Sequence, residues 1–459
     1  INEENGFLSI ASYETTTIFI LNKLLKFSKI SNRGQRESNL RYLKQCNINF
    51  EDPLKKVALQ KLFVNSQVML IYGAAGTGKT TLINYISNMM NQSKKLFLTK
   101  THTALQNLER RIENPGLDSD FISIDSFTKT ITLTDYDIVF VDECSTIDNR
   151  TMKRLLEKID ESTLLVLAGD IYQIESIDFG NWFYYAKDII KTDDANVELL
   201  NTWRTDKKEL KGLWDEVRKI QPIITEKLAI DGPFSADIGE EIFVSQDEDE
   251  IVLCLNYDGK FGLNNMNLYF QNANTKSEVY TWAEWTFKVG DPVIFLDTKR
   301  SPLLYNNLKG RIVDISKRDS AILFTLDIDT ILTERQCRNE SFEFIDVTDR
   351  GTRIRLEVIA SDDESAPEEE RFKTIIPFQI AYAVSIHKAQ GLEYNSVKII
   401  IPSYNAEKIS HSIFYTAITR AKEKLKIFWS AETMKAIVES FDKEKIGQRT
   451  LEFIEKKLE

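Results

Sequence analysis

The sequence has no apolar run approaching the ~20 residues that a membrane-spanning helix needs, and it shows no signal-peptide pattern. It is also poor in residues that bind metals or form disulfides, with three His and four Cys among 459 residues. The cysteines are Cys46, Cys144, Cys254 and Cys337, which lie far apart and form no CxxC pair. This spacing argues against a structural zinc site or a disulfide framework, and it favours a cytoplasmic protein without a membrane partner.

Glycine and proline are scarce, with 18 and 9 residues, which excludes a collagen-like or low-complexity chain. The net charge is −11, so the chain is not a globally basic nucleic-acid binder. The acidic excess is concentrated in residues 231–250 and 361–370, which together carry 14 Asp/Glu and no Lys or Arg. The rest of the chain therefore has a net charge of +3, which leaves room for local basic patches.

From Val68 onward, continuous apolar runs of strand length alternate with helix-like stretches, which predicts an α/β fold with parallel strands buried on both faces. Short, partly alternating runs interrupt this pattern between about Lys288 and Glu370 and predict a small inserted antiparallel barrel. The spacing of apolar residues within residues 1–50 predicts an N-terminal helical segment. The chain starts at Ile1 and not at Met, which is compatible with an upstream domain or effector.

A glycine-rich loop, Gly73-Ala74-Ala75-Gly76-Thr77-Gly78-Lys79-Thr80, follows an apolar strand and precedes a helix that begins at Thr81. It fits the phosphate-binding pattern GxxxxGK[ST] in the required strand–loop–helix context. Backbone N–H groups of such a loop converge on phosphates, which bulky side chains would block. We expect Lys79 to reach the terminal phosphates and Thr80 to bind Mg²⁺. The predicted nucleotide-binding residues are Gly73, Gly76, Thr77, Gly78, Lys79, Thr80 and Thr81.

A second apolar strand, Ile138–Val141, ends in the acidic pair Asp142-Glu143 about 60 residues beyond this loop. Carboxylate oxygens suit the hard Mg²⁺ ion, so Asp142 is predicted to hold the metal together with Thr80. Glu143 is predicted to orient and deprotonate the attacking water. The two motifs together predict a Mg²⁺-dependent NTPase.

Four further blocks follow in chain order: Gly169-Asp170-Ile171-Tyr172-Gln173, Thr202-Trp203-Arg204, Ser385-Ile386-His387-Lys388-Ala389-Gln390-Gly391-Leu392-Glu393 and Tyr415-Thr416-Ala417-Ile418-Thr419-Arg420. With the nucleotide motifs, this series resembles that of the superfamily 1 helicases, most closely the RecD/Dda-like 1B branch. The resemblance spans roughly residues 57–429. It implies two RecA-like domains with ATP in the cleft between them, and an SH3-like identity for the inserted barrel.

The resemblance and the apolar pattern give five segments. They are an N-terminal helical segment (1–50), a first RecA-like domain (51–190), the first part of the second RecA-like domain (191–287), the inserted SH3-like domain (288–370) and the second part of the second RecA-like domain (371–459).

The resemblance also implies roles around ATP for residues outside the two nucleotide motifs. Gln173 would sense the γ-phosphate, and Arg204 and Arg420 would act as arginine fingers on the transferred phosphoryl group. Trp203 would stack on the adenine, with core packing as the alternative for this residue. Gly391 and Glu393 would also lie at the nucleotide, with Glu393 at the ribose.

The same resemblance implies a set of residues that contact the nucleic-acid strand. Hydroxyl, imidazole and amine groups can donate hydrogen bonds to phosphate oxygens without reading bases. Phe179 and Trp182 could stack on a base, and core packing is expected for at least one of them. The predicted nucleic-acid-binding residues are Thr101, His102, Ser126, Phe179, Ser385, His387 and Lys388.

Two positions depart from the pattern of the family. Lys55 stands where the family usually has an adenine-reading Gln, which places adenine specificity in doubt. Only residues 128–136 separate Phe127 from the second nucleotide motif, so the strand-splitting pin that relatives often insert there is at most a short hairpin.

The function implied is an ATP-dependent translocase or helicase that moves 5′ to 3′ on single-stranded DNA. One alternative is an RNA-directed helicase of the same superfamily, since the sequence contains no discriminator between the two strands. Another is an ATP-gated nucleic-acid sensor or motor module of a larger protein. Comparison of DNA- and RNA-stimulated ATPase activity distinguishes the DNA helicase from the RNA helicase. The full-length gene product would show whether the chain is a module of a larger protein.

Overall fold

The structure is a computed structural model. It describes residues 2–4, 7–9, 11–32, 34–45, 50, 52–116, 118–129, 135–176, 178–192, 194–230, 232–275, 278–296, 300–318, 320–360, 374–441 and 446–458. The chain divides into two compact units. The first unit comprises residues 1–224, 410–419 and 438–459, and the second comprises residues 225–409 and 420–437.

The strands within the described residues are, in chain order, β1 (Asn2–Glu4), β2 (Phe7–Ser9), β3 (Val68–Gly73), β4 (Lys95–Thr99), β5 (Ser119–Ser123), β6 (Ile138–Val141), β7 (Leu164–Gly169), β8 (Asn196–Leu199), β9 (Ser235–Ala236), β10 (Glu250–Cys254), β11 (Tyr280–Trp282), β12 (Trp285–Phe287), β13 (Pro292–Phe295), β14 (Lys309–Arg318), β15 (Ala321–Ile328), β16 (Glu343–Thr348), β17 (Gly351–Ile359), β18 (Phe378–Ile380), β19 (Ala383–Ser385), β20 (Tyr394–Ile400) and β21 (Ala421–Phe428).

The α-helices of the same residues are α1 (Ala11–Phe27), α2 (Gln35–Gln45), α3 (Pro53–Lys61), α4 (Lys79–Met89), α5 (His102–Arg111), α6 (Ile124–Lys129), α7 (Asn149–Lys158), α8 (Trp182–Ile189), α9 (Lys208–Arg218), α10 (Ile224–Lys227), α11 (Leu263–Ala273), α12 (Glu334–Cys337), α13 (His411–Ile418), α14 (Ala431–Phe441) and α15 (Ile446–Leu458). Short 3₁₀ helices cover Cys144–Thr146, Glu240–Phe243 and Ser403–Lys408.

The first unit is built on a six-stranded parallel sheet in the order β5-β4-β6-β7-β3-β8. Strands β3 and β6 are buried at every position, which explains their uninterrupted apolar sequences. Strand β7 lies between β3 and β6. The loops that follow these three strands therefore leave the same edge of the sheet side by side.

The N-terminal segment contributes to the core of the first unit. Helix α1 buries Ile20, Leu21, Leu24 and Phe27 against the sheet. The segment is not entirely helical, because β1 and β2 form an antiparallel hairpin ahead of α1. This hairpin was not predicted, since its short strands carry no clear alternation of apolar and polar residues.

Strand β8 follows the predicted boundary between residues 190 and 191 and lies in the first sheet. Strand β8 pairs in parallel with β3, so it is the edge strand of the first sheet. Residues 191–224 and helix α13 consequently belong to the first unit. The sequence pattern could not assign β8, because a four-residue strand fits either sheet equally well.

The second unit contains a five-stranded parallel sheet in the order β19-β10-β20-β21-β9. It also contains a six-stranded antiparallel sheet in the order β16-β17-β15-β14-β13-β18, with a core that includes Phe295, Phe324 and Ile354. The last strand, β18, lies beyond the predicted end of the insertion at residue 370.

Both RecA-like sheets predicted from the sequence are present as parallel sheets, and the SH3-like identity of the insertion stays a prediction. The acidic segment 361–370 lies outside the described residues, as does part of the short segment 128–136 that replaces the pin. No helix of the described part of the chain is long and apolar enough to cross a membrane.

Candidate functional site

The glycine-rich loop connects β3 to α4, and each of its three glycines lies against another group. A Cβ atom on Gly73 would meet Thr77 and would lie 3.0 Å from the carbonyl oxygen of Leu199. Gly76 and Gly78 have φ angles of 77° and 83°, which L-residues with side chains rarely adopt. A Cβ on Gly76 would collide with Arg204, and one on Gly78 would collide with the Lys55 ammonium group. The loop thus requires glycine at all three positions.

Lys79 is folded back onto the loop that precedes it. Its Nζ donates hydrogen bonds to the carbonyl oxygens of Gly73, at 2.8 Å, and Ala74, at 3.1 Å. Burial lowers the pKa of Lys79, and the charge of Arg204 lowers it further, while Asp170 and Asp142 act in the opposite direction. A partly buried ammonium group at a helix N-terminus favours an anion at this position.

Thr80 and Asp142 come together from α4 and the end of β6. The Thr80 hydroxyl donates a hydrogen bond to Asp142 Oδ2 at 3.2 Å. A hydroxyl and a carboxylate in contact provide two oxygen ligands of the type that Mg²⁺ prefers, with its other positions left to phosphates and water. The described part of the chain contains no group of three or more His, Cys, Asp or Glu residues that could hold a metal ion by itself. The residues present fit a Mg²⁺ ion that the nucleotide brings with it.

Glu143 follows Asp142 in an unusual backbone conformation, with φ 55° and ψ 43°. A left-handed conformation at a non-glycine residue costs of the order of 1–3 kcal/mol and occurs preferentially at functional positions. The backbone holds this conformation in place: Glu143 N–H donates to Asp142 Oδ1 at 2.9 Å, and its carbonyl oxygen accepts from Thr146 N–H at 2.9 Å. The turn therefore fixes the backbone position of Glu143 directly after β6.

Gln173 follows β7, the strand between the two nucleotide motifs. Its Nε2 donates to Asp170 Oδ2 at 3.0 Å, and the other oxygen of Asp170 accepts from Tyr172 N–H at 3.1 Å. The next residue, Ile174, donates its N–H to the Thr416 hydroxyl on α13 at 2.9 Å. Gln173 is thus bonded to the end of β7, and its neighbour Ile174 is bonded to α13, which carries part of the last sequence block.

The segment that follows β8 runs across the phosphate loop. Trp203 N–H donates to Gly76 O at 2.7 Å, and the Thr202 hydroxyl donates to Ala75 O at 3.0 Å. Arg204 Nη1 donates to Thr419 O at 2.8 Å. Trp203 is 48% exposed, so its indole ring is not a core side chain. Arg204 lies in the same unit as the loop, and it follows the predicted boundary between residues 190 and 191.

Arg420, Gly391 and Glu393 form a separate group in the second unit, near the start of β20. Arg420 is 1% exposed and donates to Leu392 O at 3.2 Å. Glu393 pairs with Lys422 at 3.1 Å, and Gly391 has a φ angle of 79°. These contacts hold the three residues within the second unit. Their roles in ATP binding and hydrolysis stay predictions.

Three of the predicted nucleic-acid contacts lie at the carboxyl ends of the adjacent strands β4 and β5. Thr101 caps α5 by accepting a hydrogen bond from Ala104 N–H at 3.2 Å, and its neighbour His102 is exposed. Ser126 is also exposed, and its hydroxyl accepts from Ser123 at 2.8 Å. These side chains therefore share one edge of the first sheet.

Phe179 and Trp182 have different surroundings. Trp182 is fully buried and donates its indole N–H to Ile147 O at 2.8 Å, so it is the core residue of the two. Phe179 is 56% exposed, and one face of its ring stacks on Tyr13 with ring centroids 4.0 Å apart. The stacked pair forms an exposed aromatic surface of the kind that binds unpaired bases.

Ser385, His387 and Lys388 follow β19 in the second unit. Ser385 is nearly buried, and its hydroxyl accepts from Lys388 N–H at 3.2 Å. His387 is exposed, and burial lowers the pKa of Lys388. The turn thus presents one imidazole and one partly buried amine at the carboxyl end of a parallel strand.

Two residues near these sites were missed by the sequence analysis. Asp170 binds Gln173 and faces Lys79 electrostatically, and its place at the end of a buried strand was a usable signal. Tyr13 supplies the partner ring for Phe179, and nothing in the sequence connects residues so far apart.

Two family models match the chain. An AAA domain covers residues 55–230, and a UvrD-like helicase C-terminal domain covers residues 380–427. The chain is 23% identical over 453 residues to the RecBCD enzyme subunit RecD of Buchnera aphidicola subsp. Acyrthosiphon pisum, covering 84% of this chain and 74% of that protein. It is 23% identical over 333 residues to RecD of Mycolicibacterium smegmatis, covering 66% of this chain and 52% of that protein.

Among solved structures, the chain is similar to that of two coordinating Pif1 helicases on forked double-stranded DNA. The TM-score is 0.50 at 16% sequence identity, covering 84% of this chain and 94% of that one. At this identity the likeness concerns the fold alone, and it agrees with the two parallel sheets described above.

Proposed function

The chain belongs to the RecD- and Pif1-like branch of the superfamily 1B helicases, and from this membership and the geometry of its site we propose the following function. It is an ATP-dependent motor that translocates 5′ to 3′ on single-stranded DNA and separates duplex strands, driven by hydrolysis of Mg-ATP. The observation that carries the proposal is the position of three motifs at the ends of the neighbouring strands β3, β7 and β6.

Phosphate binding is the first task of the chain's own residues. The loop N–H groups and Lys79 hold the triphosphate, and the Lys79 ammonium exchanges its carbonyl partners, Gly73 and Ala74, for phosphate oxygens. Thr80 and Asp142 would hold Mg²⁺, which when bound neutralises charge on the phosphate oxygens.

The chemical step depends on Glu143, Gln173 and Arg204. The backbone N–H of Glu143 bonds the metal ligand Asp142, and the Glu143 carboxylate would accept the proton of the attacking water. Gln173 hydrogen-bonds Asp170 and is positioned to respond to the γ-phosphate. The Arg204 guanidinium stabilises the charge that spreads over the transferred phosphoryl group. Arg420 is proposed as a second such cation.

The strand is held by residues at the carboxyl ends of both parallel sheets. Thr101, His102 and Ser126 would contact backbone phosphates in the first unit, as Ser385, His387 and Lys388 would in the second. Phe179 would stack on a base without selecting its identity. Alternating grip by the two units during the ATP cycle is what would convert hydrolysis into steps.

Strand-displacement and ATPase assays on DNA duplexes with a 5′ or a 3′ single-stranded tail test this function. We expect unwinding of the 5′-tailed duplex only, and stimulation of the ATPase by single-stranded DNA. An RNA oligonucleotide of matched sequence is the control for strand type. Unwinding from a 3′ tail, or no stimulation by either nucleic acid, would contradict the proposal.

The curated relatives named above are subunits of the RecBCD enzyme by name. An upstream domain or a partner subunit is therefore a further part of this proposal. The assays should be run with the chain alone and with its full-length gene product, because a partner that supplies the strand-separating element would raise unwinding without changing the ATPase.

A further inference from the structure

Lys55 lies against the phosphate loop, although it belongs to a helix that precedes β3. If Gly78 carried a Cβ atom, the nearest atom to it would be the Lys55 Nζ, and the Lys55 Cε would lie 3.1 Å away. Gly78 is the N-cap residue of α4 and has no side-chain cap. The ammonium group of Lys55 therefore lies beside the same open helix N-terminus at which the phosphates are proposed to bind.

The position of Lys55 is fixed by the packing of α3. Asp52 caps this helix by accepting from Leu54 N–H at 3.0 Å, and Pro53 starts it. Ala58 and Leu59, three and four residues after Lys55, are buried in the core of the first unit. Lys55 is itself only 5% exposed. A lysine would ordinarily occupy the solvent face of such a helix, as the exposed Lys56 does.

The two lysines of the site approach the loop from different ends. Lys79 bonds the carbonyl oxygens of Gly73 and Ala74 at the start of the loop, and Lys55 lies at Gly78 at its end. We propose that Lys55 is a second phosphate-binding cation of the nucleotide site, which contacts the phosphates held at the N-terminus of α4. This inference rests on the proposed function, since it assigns a further residue to the same nucleotide.

Such a contact has a definite kinetic consequence. Lys55 lies at Gly78, at the end of the loop, so the proposed contact is with phosphates that are present before and after hydrolysis. An interaction of equal strength in the ground state and the transition state lowers KM and leaves kcat unchanged. Removal of the Lys55 charge should therefore weaken ADP and ATP binding together, by about tenfold, which corresponds to one charge-assisted hydrogen bond.

The test compares Lys55→Met with Lys56→Met in the full chain. Met keeps the alkyl stem and removes the charge, and Lys56 is the exposed neighbour on the same helix. Binding of Mg-ADP is measured by calorimetry, and KM and kcat for ATP are measured with saturating single-stranded DNA. We expect Lys55→Met to raise the ADP Kd and the ATP KM about tenfold with kcat within about twofold, and Lys56→Met to change neither.

Lys55→Arg separates a charge effect from a packing effect. It should retain ADP affinity within about threefold of the wild type, because a guanidinium also binds phosphate. Equal losses in the Arg and Met variants would indicate packing and overturn the proposal, as would unchanged or tighter ADP binding in Lys55→Met. If Lys55→Met does not fold, Lys55→Leu is measured in its place. Failure of the wild type to bind ADP would instead refute the nucleotide site as a whole.

Discussion

The two units hold their motif residues in different ways. In the first unit the side chains of separate motifs bond to one another, as Thr80 does to Asp142, and the segment of Trp203 bonds to the phosphate loop. In the second unit a motif side chain bonds the backbone of another motif, as Arg420 does to Leu392 O, or accepts from the backbone of its own turn, as Ser385 does from Lys388 N–H. The first unit thus joins side chains of separate motifs directly to one another, whereas the named bonds of the second unit run between a side chain and the backbone.

This difference predicts that hydrolysis is most sensitive to changes in the first unit. Removal of Lys79 is the most severe, because Lys79→Ala takes the cation from the centre of the loop. We expect loss of measurable ATP binding and hydrolysis, with and without DNA. The measurement is ADP calorimetry together with a phosphate-release assay, and Lys94→Ala, a lysine of the same unit away from the loop, is the control. Hydrolysis close to that of the wild type would refute the assignment of the loop.

The two arginines compare the units directly. Arg204→Ala and Arg420→Ala should each lower kcat by about 10³–10⁵ if both act as arginine fingers, with a much smaller change in ADP affinity. Arg338→Ala, an exposed arginine of the second unit, should have no effect. A loss confined to Arg204→Ala would mean that the chemical site lies within the first unit alone and that Arg420, which is buried, is structural.

Glu143→Gln separates binding from chemistry within the first unit. The amide keeps the size of the side chain but cannot accept the proton of water, so kcat should fall by about 10²–10⁴ with ATP affinity retained. The comparison of ATP affinity by equilibrium binding with single-turnover hydrolysis measures both quantities. Loss of ATP affinity in this variant would indicate that Glu143 contributes to binding and not to the proton transfer.

The sequence was sufficient to predict the fold class and the nucleotide motifs, because each of them is a short local pattern. The buried strand β3 and the loop after it occupy only thirteen consecutive residues, Val68–Thr80. The sequence could not place β8 or Arg204, since the pairing of β8 with β3 joins residues more than 120 positions apart. The stacking of Tyr13 on Phe179 and the approach of Lys55 to Gly78 are likewise tertiary contacts, which no local sequence pattern indicates.

The sequence also could not tell which of Phe179 and Trp182 is exposed. Substitution of each residue by Ala gives a matched pair of variants. Phe179→Ala should weaken single-stranded DNA binding by about 1–3 kcal/mol, because it removes an exposed stacking ring, with little change in stability. Trp182→Ala should lower the free energy of unfolding by about 3–5 kcal/mol, because it opens a cavity in the core. Fluorescence anisotropy with labelled DNA and thermal unfolding give the two readouts. Unchanged DNA affinity in Phe179→Ala would remove this ring from the binding surface.

The smallest expected effect concerns the pH dependence of DNA binding. It should differ between Lys388 of the second unit and Lys100 of the first. Burial lowers the pKa of Lys388, so its ammonium loses its proton at a lower pH than an ordinary lysine. Burial also acts to lower the pKa of Lys100, but its contacts with Asp125, at 3.0 Å, and Asp148, at 3.3 Å, outweigh burial and raise it.

The charged form of a lysine binds phosphate, so the contribution of Lys388 to DNA affinity is present at neutral pH and is lost as the pH rises toward its lowered pKa. Wild-type affinity should therefore fall at alkaline pH, at constant ionic strength, before the pH at which an ordinary lysine loses its proton. Lys388→Met should remove most of that slope and also weaken binding at pH 7, whereas Lys100→Met should leave the slope unchanged, because its charge is already balanced by two carboxylates. A slope that persists in Lys388→Met would assign the alkaline loss of binding to another group and take Lys388 out of the strand contact.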